Sequence, residues 1–184
     1  MLRLTPRDCR VMPWKNGGGS TTELLIRPEG FSLSERFLFR VSLADVASSG
    51  PFSTFEGCDR HLVIVSGTGL RLSVGGRQLA LEPFQPVFFS GDDAASGALV
   101  DGPVRDFNVI VDRTRATATL VVTQLAAPLW LACAPGETVV VHVLEGALNG
   151  ATPGDTLVLD ASHTVTPAPG PARVVLARIS PRPG

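Results

Sequence analysis

Read for apolar and polar positions, the chain is a series of short alternating or apolar runs broken by Gly, Pro, Asp and Ser. The runs fall at 37–43 (FLFRVSL), 61–66, 69–74, 86–90 and 107–112, then at 117–125, 128–133, 138–146, 156–160 and 172–179. Each has the length and the β-branched content of a strand, and the turn signals recur at the spacing of sandwiches and barrels. Helical periodicity is weak throughout, and 15 prolines with 19 glycines argue against long helices. The pattern predicts an all-β protein.

The runs come in two similar sets. One contains HLVIVSGTGLRLSVGGRQLALEPFQPVFFSG, a strand closing on Ser-Gly, a hairpin, and a Pro-led turn into another strand. The other, VVVHVLEGALNGATPGDTLVLDASHTV, repeats that order in shorter form. A strand ending V-L-E-G, then P-G-D and an apolar strand leading to His, resembles the cupin motif pair. That resemblance implies a bicupin: two antiparallel jelly-roll barrels, the first over residues 1–115 and the second, shorter one over 116–184. A single larger β-sandwich is the alternative.

Composition narrows the function. The 184 residues are 44% hydrophobic and 18% charged, which describes a folded chain with a real core. A net charge of −1 gives no electrostatic case for nucleic acid. No run approaches the ~20 apolar residues of a membrane span, and the residues before Cys9 hold Arg3 and Arg7 but no apolar signal core. The expectation is a soluble cytoplasmic protein. Cys9, Cys58 and Cys133 are odd in number and widely separated, so they suggest neither a disulfide framework nor zinc.

Metal-binding cupins carry His-x-His-x3–4-Glu on one strand and a further His after the Pro-Gly turn. Counting back from VLEG in the second half puts Cys133, Pro135 and Val139 at the first three positions, leaving only His163 at a ligand position. Counting back from Gly67 in the first half puts Thr54, Glu56 and Arg60 there. A guanidinium in place of the carboxylate repels a cation, so no metal and no other cofactor is expected. A buried Arg60 needs a partner. That partner is either internal, with Glu56, Asp59 and Asp106 as candidates, or the carboxylate of a ligand held by two parallel N–H···O bonds.

Three further groups stand out. WKNGGG (14–19) has its lysine before the glycines and a strand-like TTELLIR after them, so a phosphate loop is ruled out for want of a following helix. The glycines suit a close backbone crossing that delivers Trp14, Lys15 and Asn16 together, to the barrel mouth or, for Trp14, to the core. Asp106 and Asn108 share one face of a strand, either lining a cavity or bracing Arg60. Arg40 and Ser42 could face the same cavity, with Thr22 and Glu23 as weaker candidates. No G-x-S-x-G elbow accompanies His61, His142 or His163.

The stretches PWKNGGGSTTEL (13–24), 39–76 with its GPFSTFEGCDR, FFSGD (88–92) and DGPVRDFNVIVDR (101–113) resemble the HutD/Ves family in order and spacing. The resemblance implies a bicupin fold and a link to histidine utilisation. It also implies a regulatory role through binding a small pathway acid such as urocanate or N-formylglutamate. The Arg of the family's DR pair, its favoured ligand-binding candidate, falls on Arg60. Departures stand at Glu56, where Pro is common, and at Phe107, where Leu is common. The expected site is therefore Arg60 with Lys15 and Asn16, apolar walls from Trp14 and Phe52, and Asp106, Asn108 and Glu56 around them. Its partner is a small anionic metabolite. The alternative is a cofactor-independent isomerase or hydrolase in the same pocket. Edge strands of the shorter half offer a pairing surface, so a homodimer is a further expectation.

Overall fold

The computed structural model describes residues 1–30 and 36–182. It holds seventeen strands in chain order. They are β1 (Leu2–Leu4), β2 (Arg10–Pro13), β3 (Gly19–Arg27), β4 (Phe39–Val46), β5 (Gly50–Pro51) and β6 (Cys58–Ser66). Next come β7 (Leu70–Val74), β8 (Arg77–Leu81), β9 (Val87–Ser90), β10 (Ala95–Leu99), β11 (Val104–Asp112) and β12 (Ala116–Leu125). The last are β13 (Leu129–Leu131), β14 (Thr138–Glu145), β15 (Thr156–Leu159), β16 (His163–Val165) and β17 (Ala172–Pro181). Among the described residues the only helical element is a 3-10 turn at Pro6–Asp8. Among the described residues no helix is long and apolar enough to cross a membrane.

The strands form two compact units, Arg10–Ala116 and a second made of Met1–Cys9 with Thr117–Gly184. The sequence divides the chain near residue 115 and leaves the first nine residues with the N-terminal half. The structure groups them with the C-terminal unit, because β1 pairs antiparallel with β15, Leu2 opposite Val158 and Leu4 opposite Thr156. A three-residue strand has no periodicity of its own, so only its partner fixes its place.

In the 10–116 unit a six-stranded sheet, ordered β2-β3-β4-β11-β6-β9, accompanies a four-stranded one, β5-β10-β7-β8. Ala44, Val46, Leu62, Ile64, Phe89 and Val104 of the larger sheet pack with Leu70, Leu72, Val74, Leu81 and Ala95 of the smaller in one buried cluster. Alternation explains the choice: every second residue of a strand faces inward. A smaller cluster of Ile26, Phe37, Cys58 and Ile110, with Phe55 against it, forms a second apolar patch in the unit.

The C-terminal unit has a five-stranded sheet, β1-β15-β14-β17-β12, and a two-stranded one, β13-β16. Val139, Val141 and Val143 of β14 meet Leu157, Leu159 and Val174 of the larger sheet and Leu131 and Val165 of the smaller. Burying such side chains is worth roughly 1.5–3 kcal/mol each.

Candidate functional site

The three central strands of the larger sheet in the 10–116 unit set the site by register. Arg40 on β4, Ile110 on β11 and Arg60 on β6 lie side by side in one row, which ends on Phe89 of β9. The next row is Ser42, Asn108, Leu62, and the next Ala44, Asp106, Ile64. Opposed residues share a face, so two arginines, an asparagine, an aspartate and Ser42 stand in a sheet interior alongside apolar neighbours. They line a cavity of ≈ 510 Å³ together with Trp14, Phe52 and Phe55, a size that suits a small metabolite.

Arg60 is 6% exposed. Its Nη1 donates to the Ser53 carbonyl at 3.0 Å and its Nη2 to Asn108 Oδ1 at 3.1 Å, while Nε is buried with no hydrogen-bond partner. The guanidinium carbon lies 5.0, 5.4 and 5.8 Å from the ring centroids of Phe89, Phe55 and Phe52, a cage of three aromatic faces. Burial and the neighbouring Arg40 charge lower its pKa to about 10, against a smaller pull upward from Asp106. Arg60 remains a cation at neutral pH.

Asn108 passes the chain on: its Nδ2 donates to Asp106 Oδ1. Asp106 makes no direct ion pair with Arg60; the amide of Asn108 stands between them. Burial raises the Asp106 pKa to about 7, opposed by the Arg60 charge and the Asn108 hydrogen bond. Of the candidate internal partners for Arg60, Asp106 acts only through the field. Arg40 is the second buried guanidinium, tied through Nε to Glu23 Oε2 at 2.8 Å, with Nη2 buried and unpartnered.

The N-terminal crossing has the geometry that its glycines suggest. Gly17 takes φ +69°, and a Cβ on Gly19 would stand 2.1 Å from the Asp45 carbonyl oxygen and 3.1 Å from the Trp14 ring. No larger residue fits there. Trp14, Lys15 and Asn16 all line the cavity. Trp14 packs on the main apolar cluster and donates from Nε1 to Thr21 Oγ1 at 2.8 Å. Lys15 is exposed at the rim, and Asn16 turns its Oδ1 back to the Gly18 N–H at 3.0 Å. Asn16 therefore braces the turn.

Glu56 is a correction. It is exposed, sits in a turn with Gly57 at φ +69°, and does not line the cavity, because the chain reverses there and presents Phe55. Phe55 was absent from the expected site: the aromatic lies in a non-strand segment where alternation gives no facing. Glu23, only a weak candidate in the sequence, emerges as the counter-charge of Arg40. Among the described residues no three His, Cys, Asp or Glu side chains converge as a metal site. Burial pushes all three cysteine thiols up, away from the reactive thiolate.

The charges decide what the cavity can do. Arg40 is neutralised by Glu23, and Arg60 faces only a carboxyl that is half protonated near neutral pH, with Lys15 adding a positive rim. The interior carries an excess of positive charge, up to one when Asp106 is protonated, and has buried N–H donors, which suits an anion with acceptor oxygens.

An all-β fold of paired antiparallel sheets of this kind is of cupin type. A cupin 2 conserved barrel domain protein from Leptotrichia buccalis shares the fold, with a TM-score of 0.57 over 85% of this chain and 86% of that one at 14% identity. The chain belongs to the HutD family, whose model matches residues 6–177. HutD from Pseudomonas fluorescens SBW25, solved in a formate condition, superposes with a TM-score of 0.81 over 99% of both chains at 32% identity. An uncharacterized 21.2 kDa protein in the hutC 3′ region of Pseudomonas putida is 43% identical over 118 residues, 64% of this chain and 61% of that protein. The match thus spans about three fifths of the length of such curated relatives.

Proposed function

We propose that the cavity of residues 10–116 captures a small carboxylate-bearing metabolite without a metal, and that the protein acts as a regulator in histidine utilisation. The ligand is a degradation intermediate such as urocanate or N-formylglutamate. The observation that carries this reading is Arg60, a buried cation with an open donor and no paired carboxylate. The pathway link rests on the family and on the hutC neighbourhood of the Pseudomonas putida relative.

Calorimetric titration of urocanate, N-formylglutamate and formate into wild type, Arg60→Ala and Arg60→Lys tests it. Truncation of one partner of a buried charge pair costs about 2–5 kcal/mol, so Arg60→Ala loses about thirtyfold or more in affinity. Arg60→Lys keeps the charge and the fold but not the fork, and falls between the two. Equal affinity in all three proteins would sink the assignment.

A second reading is a cofactor-independent isomerase or hydrolase in the same pocket, with Asp106 as its base. What favours it is the raised pKa of about 7 on a carboxyl that lines the cavity, the range a general base needs. Turnover of any of the three acids by chelator-treated protein, abolished in Asp106→Asn, would establish it.

A further inference from the structure

Asp106 raises a problem for any anion that binds beside it. The carboxyl is 2% exposed, lines the same cavity as Arg60, and accepts one hydrogen bond, from Asn108 Nδ2. An acid seated on Arg60 brings a second carboxylate into the cavity that the buried Asp106 lines. Two like charges in a low-dielectric cavity do not both stay ionised.

The surroundings offer no spare cation to hold them apart. On β6, Arg60 is engaged by the incoming anion itself. On β4, Arg40 is paired with Glu23 of β3 at 2.8 Å, and Asp45 is paired with Arg105 of β11 at 2.7 Å. Asp45 adds repulsion to Asp106. Lys15, from the turn between β2 and β3, stands at the exposed rim. Ser42 and Thr21, the other polar residues of β4 and β3 that line the cavity, carry no charge.

Resting on the anion-capture reading, the geometry points to a ligand class: the cavity takes one carboxylate together with one proton, and Asp106 carries that proton. The proton comes from solvent and neutralises Asp106, leaving Arg60 and the ligand as a single compensated pair. Protonated Asp106 is also an O–H donor, able to turn toward a ligand oxygen where its ionised form would repel it. The site therefore takes a single carboxylate against Arg60, and its affinity is tied to pH through this protein's own side chain.

The sign follows from the charge states. In the empty cavity Asp106 titrates at about 7. Below that pH it is already protonated, and binding takes up no proton. Above it, every pH unit removes up to about tenfold in affinity until the pKa of the occupied site is reached.

Formate is the probe, because it stays ionised from pH 6 to pH 8. Its dissociation constant is measured by amide chemical-shift titration of wild type and Asp106→Asn at both pH values. Calorimetry at pH 8 in two buffers of different ionisation heat counts the protons taken up. Asparagine is isosteric with the protonated acid and can still accept from Asn108 Nδ2, so this variant keeps the fold.

Wild type is expected to weaken about tenfold from pH 6 to pH 8 with uptake of about one proton, and Asp106→Asn to bind equally at both with none. Formate binding that does not change with pH in wild type would overturn the inference and leave anion capture standing. The same loss in Asp106→Asn would overturn it too. Failure of formate to bind at either pH would instead overturn anion capture, and this inference with it.

Discussion

Along β14 the core-facing residues are Val139, Val141 and Val143; along β11 the corresponding alternation gives Asp106, Asn108 and Ile110. Both strands are central in antiparallel sheets of similar construction. The C-terminal unit fills its interior with valine and leucine and has no buried charge in that cluster. The N-terminal unit opens a cavity there and places two guanidinium groups and a carboxyl in it. One interior maximises apolar contact. The other carries buried charges whose desolvation lowers stability, a cost that the Arg40–Glu23 pair and the hydrogen bonds of Arg60 offset in part.

The largest way to sharpen that contrast is through Asp106. Its pKa in the fold, about 7, lies above the ordinary 3.8. Its contribution is intact below about pH 4 and is lost as pH rises through 7, because only the unfolded chain releases its proton in between. Asp106→Asn removes that dependence. Urea denaturation is expected to find variant and wild type equal near pH 4 and the variant more stable by up to about 4 kcal/mol at pH 8. Parallel pH profiles would deny that Asp106 is strained by burial.

The matching change in the closed unit is Leu157→Ala. Leu157 is 1% exposed in the valine-leucine cluster, and its truncation costs about 2–5 kcal/mol. Denaturation reads the loss, and formate affinity at pH 6 is unchanged because no cavity residue is touched. Next comes Gly19→Ala, where a Cβ 2.1 Å from the Asp45 carbonyl oxygen forces the crossing to shift. It is expected to cost about 1–3 kcal/mol and to weaken anion binding as Trp14 and Lys15 move. The smallest effect belongs to Lys15→Ala. An exposed rim charge steers more than it holds, so affinity falls about two- to fivefold at low salt and the difference fades as salt rises.

Much of this was legible in the chain, for physical reasons. The long strands β4, β6, β11, β12, β14 and β17 carry apolar or alternating runs that report burial directly. Those not foreseen are short or polar: β1 and β2 near the start, β5 with two residues, β10 reading ASGAL, and β16 reading HTV. Their pairing is long-range, and neither composition nor period encodes it. At the site, Asp106 and Asn108 stood out as two polar residues on one face of a strand, and Arg60 as a guanidinium at the position where a metal-binding cupin has its carboxylate. Phe55 and Glu56 lie where the chain leaves a strand, so alternation gave no facing and the wrong one of the pair was chosen. Glu23 ranked only as a weak candidate, because the register of β3 on β4 shifts between Glu23 and Leu25 and its pairing with Arg40 cannot be read from alternation.

The central claim is that Arg60 holds an anion in a cavity with an excess of positive charge. The most direct measurement is a crystal structure of the protein grown at pH 6 with N-formylglutamate or formate. The account predicts a carboxylate on the Arg60 guanidinium, within hydrogen-bond distance, between the Phe52 and Phe55 walls. An acid bound elsewhere on the molecule, or a cavity closed over Arg60 by the protein's own side chains at saturating ligand, would contradict it.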